Sequence, residues 1–137
     1  MTDAQALEDM IATAVDRFYQ LAGRDPVIGP VFAASVGDWP GHLAVVRDFW
    51  SKVLLGTERY QGDPFKAHGG MTLEDRHFDR WLDIFAQVAG ETLPAEAAGR
   101  AMDQARHMRR CLQGGRCDHR PRRVALPLAR ARQAPPA

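Results

Sequence analysis

Through four long stretches of this chain, apolar residues return every three to four positions, which is helical spacing. In the first, Leu7, Ile11, Ala14, Phe18 and Leu21 keep an i, i+4, i+7 rhythm, predicting an amphipathic helix over residues 3–22. Thr2 and Gln5 are a candidate capping box for it. Tyr19 lies at the edge of its apolar face, where the ring can be buried while the hydroxyl meets water or a polar partner. The stretch GRDPVIGP then breaks the helix, and Val31 and Phe32 give a short apolar turn before the irregular ASVGDWP. Asp38 reads as a helix cap with Pro40 in the first turn, opening a helix from Trp39 to a stop at Gly56. On that helix His42, Val46, Phe49, Trp50, Val53 and Leu54 share one broad face. Residues 57–71 show no clean period and read as loop, with room for one helical turn.

A capping signal at Thr72 and Asp75 opens a third long helix over residues 74–89, carrying Phe78, Trp81, Leu82, Phe85 and Ala89 and ending at Gly90. Thr92 and Pro94 restart the chain, and Ala98, Ala101, Met102, Ala105, Met108 and Leu112 make a fourth helix. Its small-residue face suits close approach by another helix. There is no hairpin turn between β-branched runs, so the chain reads as all-α. After Gly114 the composition changes: six arginines stand against one aspartate, with four prolines. The expected organisation is one folded domain over 1–114 and a basic, disordered tail over 115–137.

Composition narrows the functional classes. A chain of 137 residues suits a single domain that buries about two-thirds of its unfolded surface. A net charge of +1 supplies no global field toward nucleic acid or membrane. No apolar run reaches the roughly 20 residues of a membrane-spanning helix, and no signal peptide is evident, so no membrane insertion is expected. Cys111 and Cys117 match no zinc spacing, read as incidental thiols, and point to a reducing cytoplasm. The tail could touch RNA, anionic lipid or an acidic partner; an inert solvated extension is the commoner case, and nucleic-acid binding by it is not expected.

The chemistry rests first on histidines. His42 opens an otherwise apolar helix face, and His68 follows that helix in PFKAHGG. Two such imidazoles could stand on opposite sides of a flat cofactor, although spacing alone also allows a helix-end histidine and a solvated loop residue. His77, in line with Trp81 and Ile84, competes for any ligand role.

Taken in order, RFYQ, DPVIGPVF, WPGHLAVVRDFWSKVLLG, YQGDPFKAH and HFDRWLDIF resemble the group III truncated haemoglobins over about residues 8–112. The resemblance implies a shortened globin fold, two pairs of helices packed two-over-two around haem b. It implies that His68 is the proximal ligand of the iron, with His77 as its rival. It gives Tyr19, Trp81 and His42 to the distal side, Phe32 to the haem wedge, and Val46 and Phe49 to the apolar wall. Tyr60, Lys66 and Arg59 are candidates for the haem propionates. The chain departs from the pattern at Gly69 and Gly70, a flexible run beside the iron ligand, and in the arginine-rich tail.

The resemblance also implies a reactivity. A distal side with two donors, the Tyr19 hydroxyl and the Trp81 indole N–H, binds oxygen tightly and releases it slowly. That suits reaction of the ligand, such as nitric oxide dioxygenation or peroxidase-like chemistry, more than transport. His42 could gate the pocket, donate a proton, or swing onto the iron. The ligands expected are O2, NO and CO. With no nucleotide or flavin motif present, turnover needs a separate electron-donating reductase. The alternatives are a gas sensor or scavenger that signals through a partner, and a haem-free helical interaction protein.

Overall fold

The computed structural model describes residues 3–64 and 73–114. Among these residues the secondary structure is helical: α1 (Asp3–Arg24), α2 (Gly29–Ser35), α3 (Trp39–Leu55), α4 (Asp75–Thr92) and α5 (Ala95–Gly114). The expected all-α class holds. Residues 115–137, expected to be a disordered tail, lie outside the described residues.

The four long helices form a closed cycle of contacts: α1 packs on α3 and α4, and α5 packs on the same two. Ile11 and Val15 of α1 meet Trp50 and Leu54 of α3 and Ala97 and Ala101 of α5 in one apolar cluster. Phe18, Ala22, Ile28, Ile84 and Val88 form a second cluster under the α1–α2 corner. The small face read from the sequence of the fourth helix is what lets α5 approach, since Ala101 and Ala105 are both 0% exposed. Ala101→Leu therefore overpacks the α3–α5 contact and should lower stability by about 1–3 kcal/mol, read from the midpoint of urea unfolding.

The helix ends follow local chemistry. Asp38 accepts a hydrogen bond from the Gly41 N–H at 3.1 Å, the N-cap of α3. Gly56 closes α3 in the left-handed conformation at φ 74°, its N–H bonded to the Lys52 carbonyl. The Arg100 guanidinium donates to the Val53 and Leu54 carbonyls at 3.0 and 3.1 Å, tying α5 to the end of α3.

Several boundaries differ from the expectations. Val31 and Phe32 sit within a short helix, α2, too brief to show a period. Gly90 does not end α4, which runs on to Thr92; a single helical glycine costs only about 1 kcal/mol. Pro94 makes the break instead, holding Leu93 extended at φ −111°, ψ 151°. The N-cap of α4 is Glu74, whose N–H donates to His77 Nδ1 at 2.8 Å; Thr72, like Thr2 of the other candidate capping box, lies outside the described residues. Cys111 is buried on α5, and Cys117 lies outside the described residues.

The α1–α2 corner is braced by a buried carboxylate. Asp25 accepts from the N–H groups of Val27 and Ile28 at 2.9 and 3.0 Å, and from Arg80 of α4 at 2.6 and 3.0 Å. Its side chain is only 3% exposed. The Arg80 hydrogen bond holds its carboxyl below the usual range, burial opposing and the two backbone N–H groups adding to the effect. Asp25→Ala orphans those N–H groups and should cost about 2 kcal/mol. Because the folded pKa is depressed, the unfolded chain binds more protons in acid. The stabilisation is complete above the unfolded value of about 4 and is lost as pH falls through the lower folded value. The stability gap between wild type and Asp25→Asn should accordingly narrow below about pH 4, which urea unfolding at stepped pH measures.

Candidate functional site

Inside the cycle of helices lies a cavity of about 280 Å³, open at one side. Its walls are aromatic and aliphatic, and its polar groups are few. Phe18 and Tyr19 come from α1, Phe32 from α2, His42, Val46 and Phe49 from α3, and Trp81 and Phe85 from α4. Ridge spacing explains the convergence: His42, Val46 and Phe49 are one helical face of α3, while Trp81 and Phe85 are four apart on α4. So apolar a hollow resists filling by water, and a flat apolar ligand matches it better.

One end of the cavity is polar. The Tyr19 hydroxyl and His42 Nε2 lie 3.0 Å apart, and the tautomer of His42 sets which of them donates. Their rings meet edge to face at 5.2 Å. Phe32 stands at 5.3 Å from the Tyr19 ring, also edge to face. Burial pushes the Tyr19 phenol well above its ordinary range, so it stays protonated and keeps a hydrogen to donate. Trp81 stacks on Phe85 at 5.6 Å, and Phe85 stacks in turn on Trp50 at 4.9 Å. This fixes the Trp81 indole plane at the cavity wall through a column of rings that reaches the core.

Tyr60 closes another edge, its ring 5.2 Å from Phe49. Burial, helped by the Asp63 charge, pushes its phenol up to about 12. Arg59 turns away from any ligand role: it donates to Glu8 at 2.6 Å, to Ser51 at 2.8 Å and to Asp48 at 3.3 Å. With the fully buried Ser51 bonded to Glu8 and Thr57, this network fastens the 57–60 segment onto α1 and α3.

Of the residues singled out in the sequence, Tyr19, Phe32, His42, Val46, Phe49, Tyr60 and Trp81 thus line one cavity. His68 and Lys66 lie outside the described residues. Pro64 and Leu73, on either side of that segment, both line the cavity. The rival His77 also reaches the wall, but its Nδ1 is taken by the Glu74 N–H. A neutral imidazole accepting at Nδ1 carries its proton on Nε2, which leaves no ring lone pair for a metal. Among the described residues no three His, Cys, Asp or Glu side chains cluster to hold a metal ion. Sequence reasoning missed Phe85 as a wall residue and Trp39, whose ring touches both Tyr19 and His42. The signal for Trp39 was its i, i+3 relation to His42.

The model of the family described as bacterial-like globin matches residues 3–114 of this chain. The chain is similar to the group 3 truncated hemoglobin ctb of Campylobacter jejuni subsp. jejuni, at 31% identity over 85 residues, covering 58% of this chain and 67% of that protein. It also resembles the crystal structure of group III truncated hemoglobin from Campylobacter jejuni, with a TM-score of 0.73 and 24% identity, over 84% of this chain and 94% of that one. At that identity the structural likeness shows the fold.

Proposed function

Since the chain belongs to the bacterial-like globin family, as a truncated haemoglobin of group III type, we propose that it is a haem-b protein acting on bound diatomic ligands. The observation that carries this reading is an apolar cavity lined by the hydrogen-bonded Tyr19–His42 pair and by Trp81. Under this reading residues 1–114 are the haem domain. His68 holds the iron, Phe32, Val46 and Phe49 clasp the porphyrin, and Tyr60 and Lys66 meet its propionates. The position of the cavity supports His68: Pro64 is on its wall, and four residues of chain span at most about 14 Å.

Haem bound here would supply an iron that takes up O2, NO or CO and exchanges electrons. This chain's residues do the rest. Tyr19 presents its O–H, and Trp81 its N–H, to charge that develops on the ligand. The Trp50–Phe85–Trp81 column holds the indole still, so the donor needs no reorganisation. The aromatic walls exclude water and so strengthen both hydrogen bonds. As its Nε2–H tautomer, His42 donates to the Tyr19 oxygen and leaves the Tyr19 hydrogen for the ligand.

Such a site retains oxygen, and the chemistry it favours is conversion of the ligand. In nitric oxide dioxygenation, O2, NO and one electron give nitrate; a separate reductase returns the electron. A cytoplasmic setting accords with this need for a reductase. Among the described residues no helix is long and apolar enough to cross a membrane. Mixing the oxygenated protein with nitric oxide should give stoichiometric nitrate within the mixing time, and repeated turnover once a reductase is added. Release of oxygen without nitrate would instead favour a sensor or scavenger.

A further inference from the structure

Three rings form a closed triangle beside the cavity, and only two of them line it. Tyr19 and His42 line it, whereas Trp39 touches both of their rings without lining it. The ring centroids are 5.5 Å apart for Tyr19–Trp39, 5.7 Å for Trp39–His42 and 5.2 Å for Tyr19–His42. All three contacts are edge to face, at 69°, 86° and 83°, the geometry aromatic quadrupoles favour.

Trp39 is itself held from three directions. It is the first residue of α3, between the Asp38 cap and Pro40, so its backbone is fixed where a helix end would otherwise fray. It lies three residues before His42, on the same side of the helix. The backbone N–H of His42 bonds to the Asp38 carbonyl at 2.9 Å, which places both residues in one capped turn. An imidazole on the first turn of a helix beside an open cavity has an outward rotamer available to it. The Trp39 indole lies edge to face against the imidazole, 5.7 Å between centroids, so any swing of His42 away from Tyr19 gives up that contact.

We infer that Trp39 is a positioning residue: it latches the His42 ring inward against Tyr19, and so sets how readily ligands enter and how firmly the Tyr19 hydroxyl is aimed. The inference rests on the haem-protein reading for its kinetic consequence, but the latch itself is a property of the three side chains and exists without the cofactor.

The test is a double-mutant cycle on the haem-loaded protein, with CO association followed by flash photolysis. Trp39→Ala should accelerate CO association by about tenfold, the equivalent of losing one or two ring contacts. Trp39→Phe, which keeps an edge-to-face partner, should restore most of the wild-type rate. In a His42→Ala background, Trp39→Ala should add nothing, because the residue it acts through is gone. Equal acceleration in both backgrounds, or none in either, overturns the proposal. A merely structural tryptophan would lower the unfolding temperature without this dependence on His42; Trp39→Leu serves if Trp39→Ala fails to fold. In the haem-free protein, imidazole ¹⁵N spectra should show one fixed, hydrogen-bonded His42 in wild type and an averaged one in Trp39→Ala. An unchanged His42 signal there overturns the latch whatever becomes of the haem reading, whereas a changed signal in a protein that takes up no haem keeps the latch and removes that reading.

Discussion

His68→Ala should abolish the five-coordinate ferrous haem spectrum, and His77→Ala should leave it in place. An axial imidazole is the bond on which the globin use of haem depends, and the apolar walls alone would hold a porphyrin without setting its reactivity. The two histidines are separable on chemistry. His77 spends its Nδ1 on the Glu74 N–H, and to bind iron through Nε2 it would have to move its proton to Nδ1 and break that helix cap. His68 falls between Pro64 and Leu73, both on the cavity wall. The expected contrast is therefore complete loss of the histidine-ligated CO spectrum in His68→Ala, with added imidazole restoring it by entering the vacated space. In His77→Ala the spectrum should persist and the unfolding midpoint should fall, by about 1 kcal/mol for a lost cap. The reverse pattern would transfer the proximal role to His77.

Tyr19→Phe and Trp81→Phe should each raise the oxygen dissociation rate by about tenfold, the equivalent of one hydrogen bond of roughly 1.4 kcal/mol in a dry site. The tyrosine change removes one oxygen atom and keeps the ring that packs against Phe18, Phe32 and Trp39, so the scaffold survives and the donor does not. The tryptophan change keeps an aromatic partner for Phe85. The double variant should exceed either single one, though short of simple additivity, because both donors address the same small ligand. Stopped-flow displacement of oxygen by CO measures all three. Off-rates unchanged in both single variants would remove the hydrogen-bond account and leave the cavity as an apolar binding site.

Much of this was readable along the chain because it is local. The apolar face of α3, the Asp38 cap and the Gly56 stop are each signalled within a few residues. The convergence of Tyr19, His42 and Trp81 was carried by the family resemblance, since nothing in the spacing joins positions 19, 42 and 81. What the sequence hid is what depends on distance along the chain. Asp25 and Arg80 are 55 residues apart, and Ser51 meets Glu8 across 43. Two such polar braces hold the corner at α2 and the 57–60 segment, and neither leaves a local pattern. The short α2 escaped because seven residues cannot show a period. The end of α4 was misread because glycine only weakens a helix, whereas Pro94 forbids its extension.

The central claim, that the cavity is a histidine-ligated haem site, is tested most directly by titrating the purified protein with haem and recording ferric, dithionite-reduced and CO-bound spectra. Saturation at one haem per chain, with a histidine-ligated CO spectrum, is the result predicted. Absence of saturable uptake would contradict it.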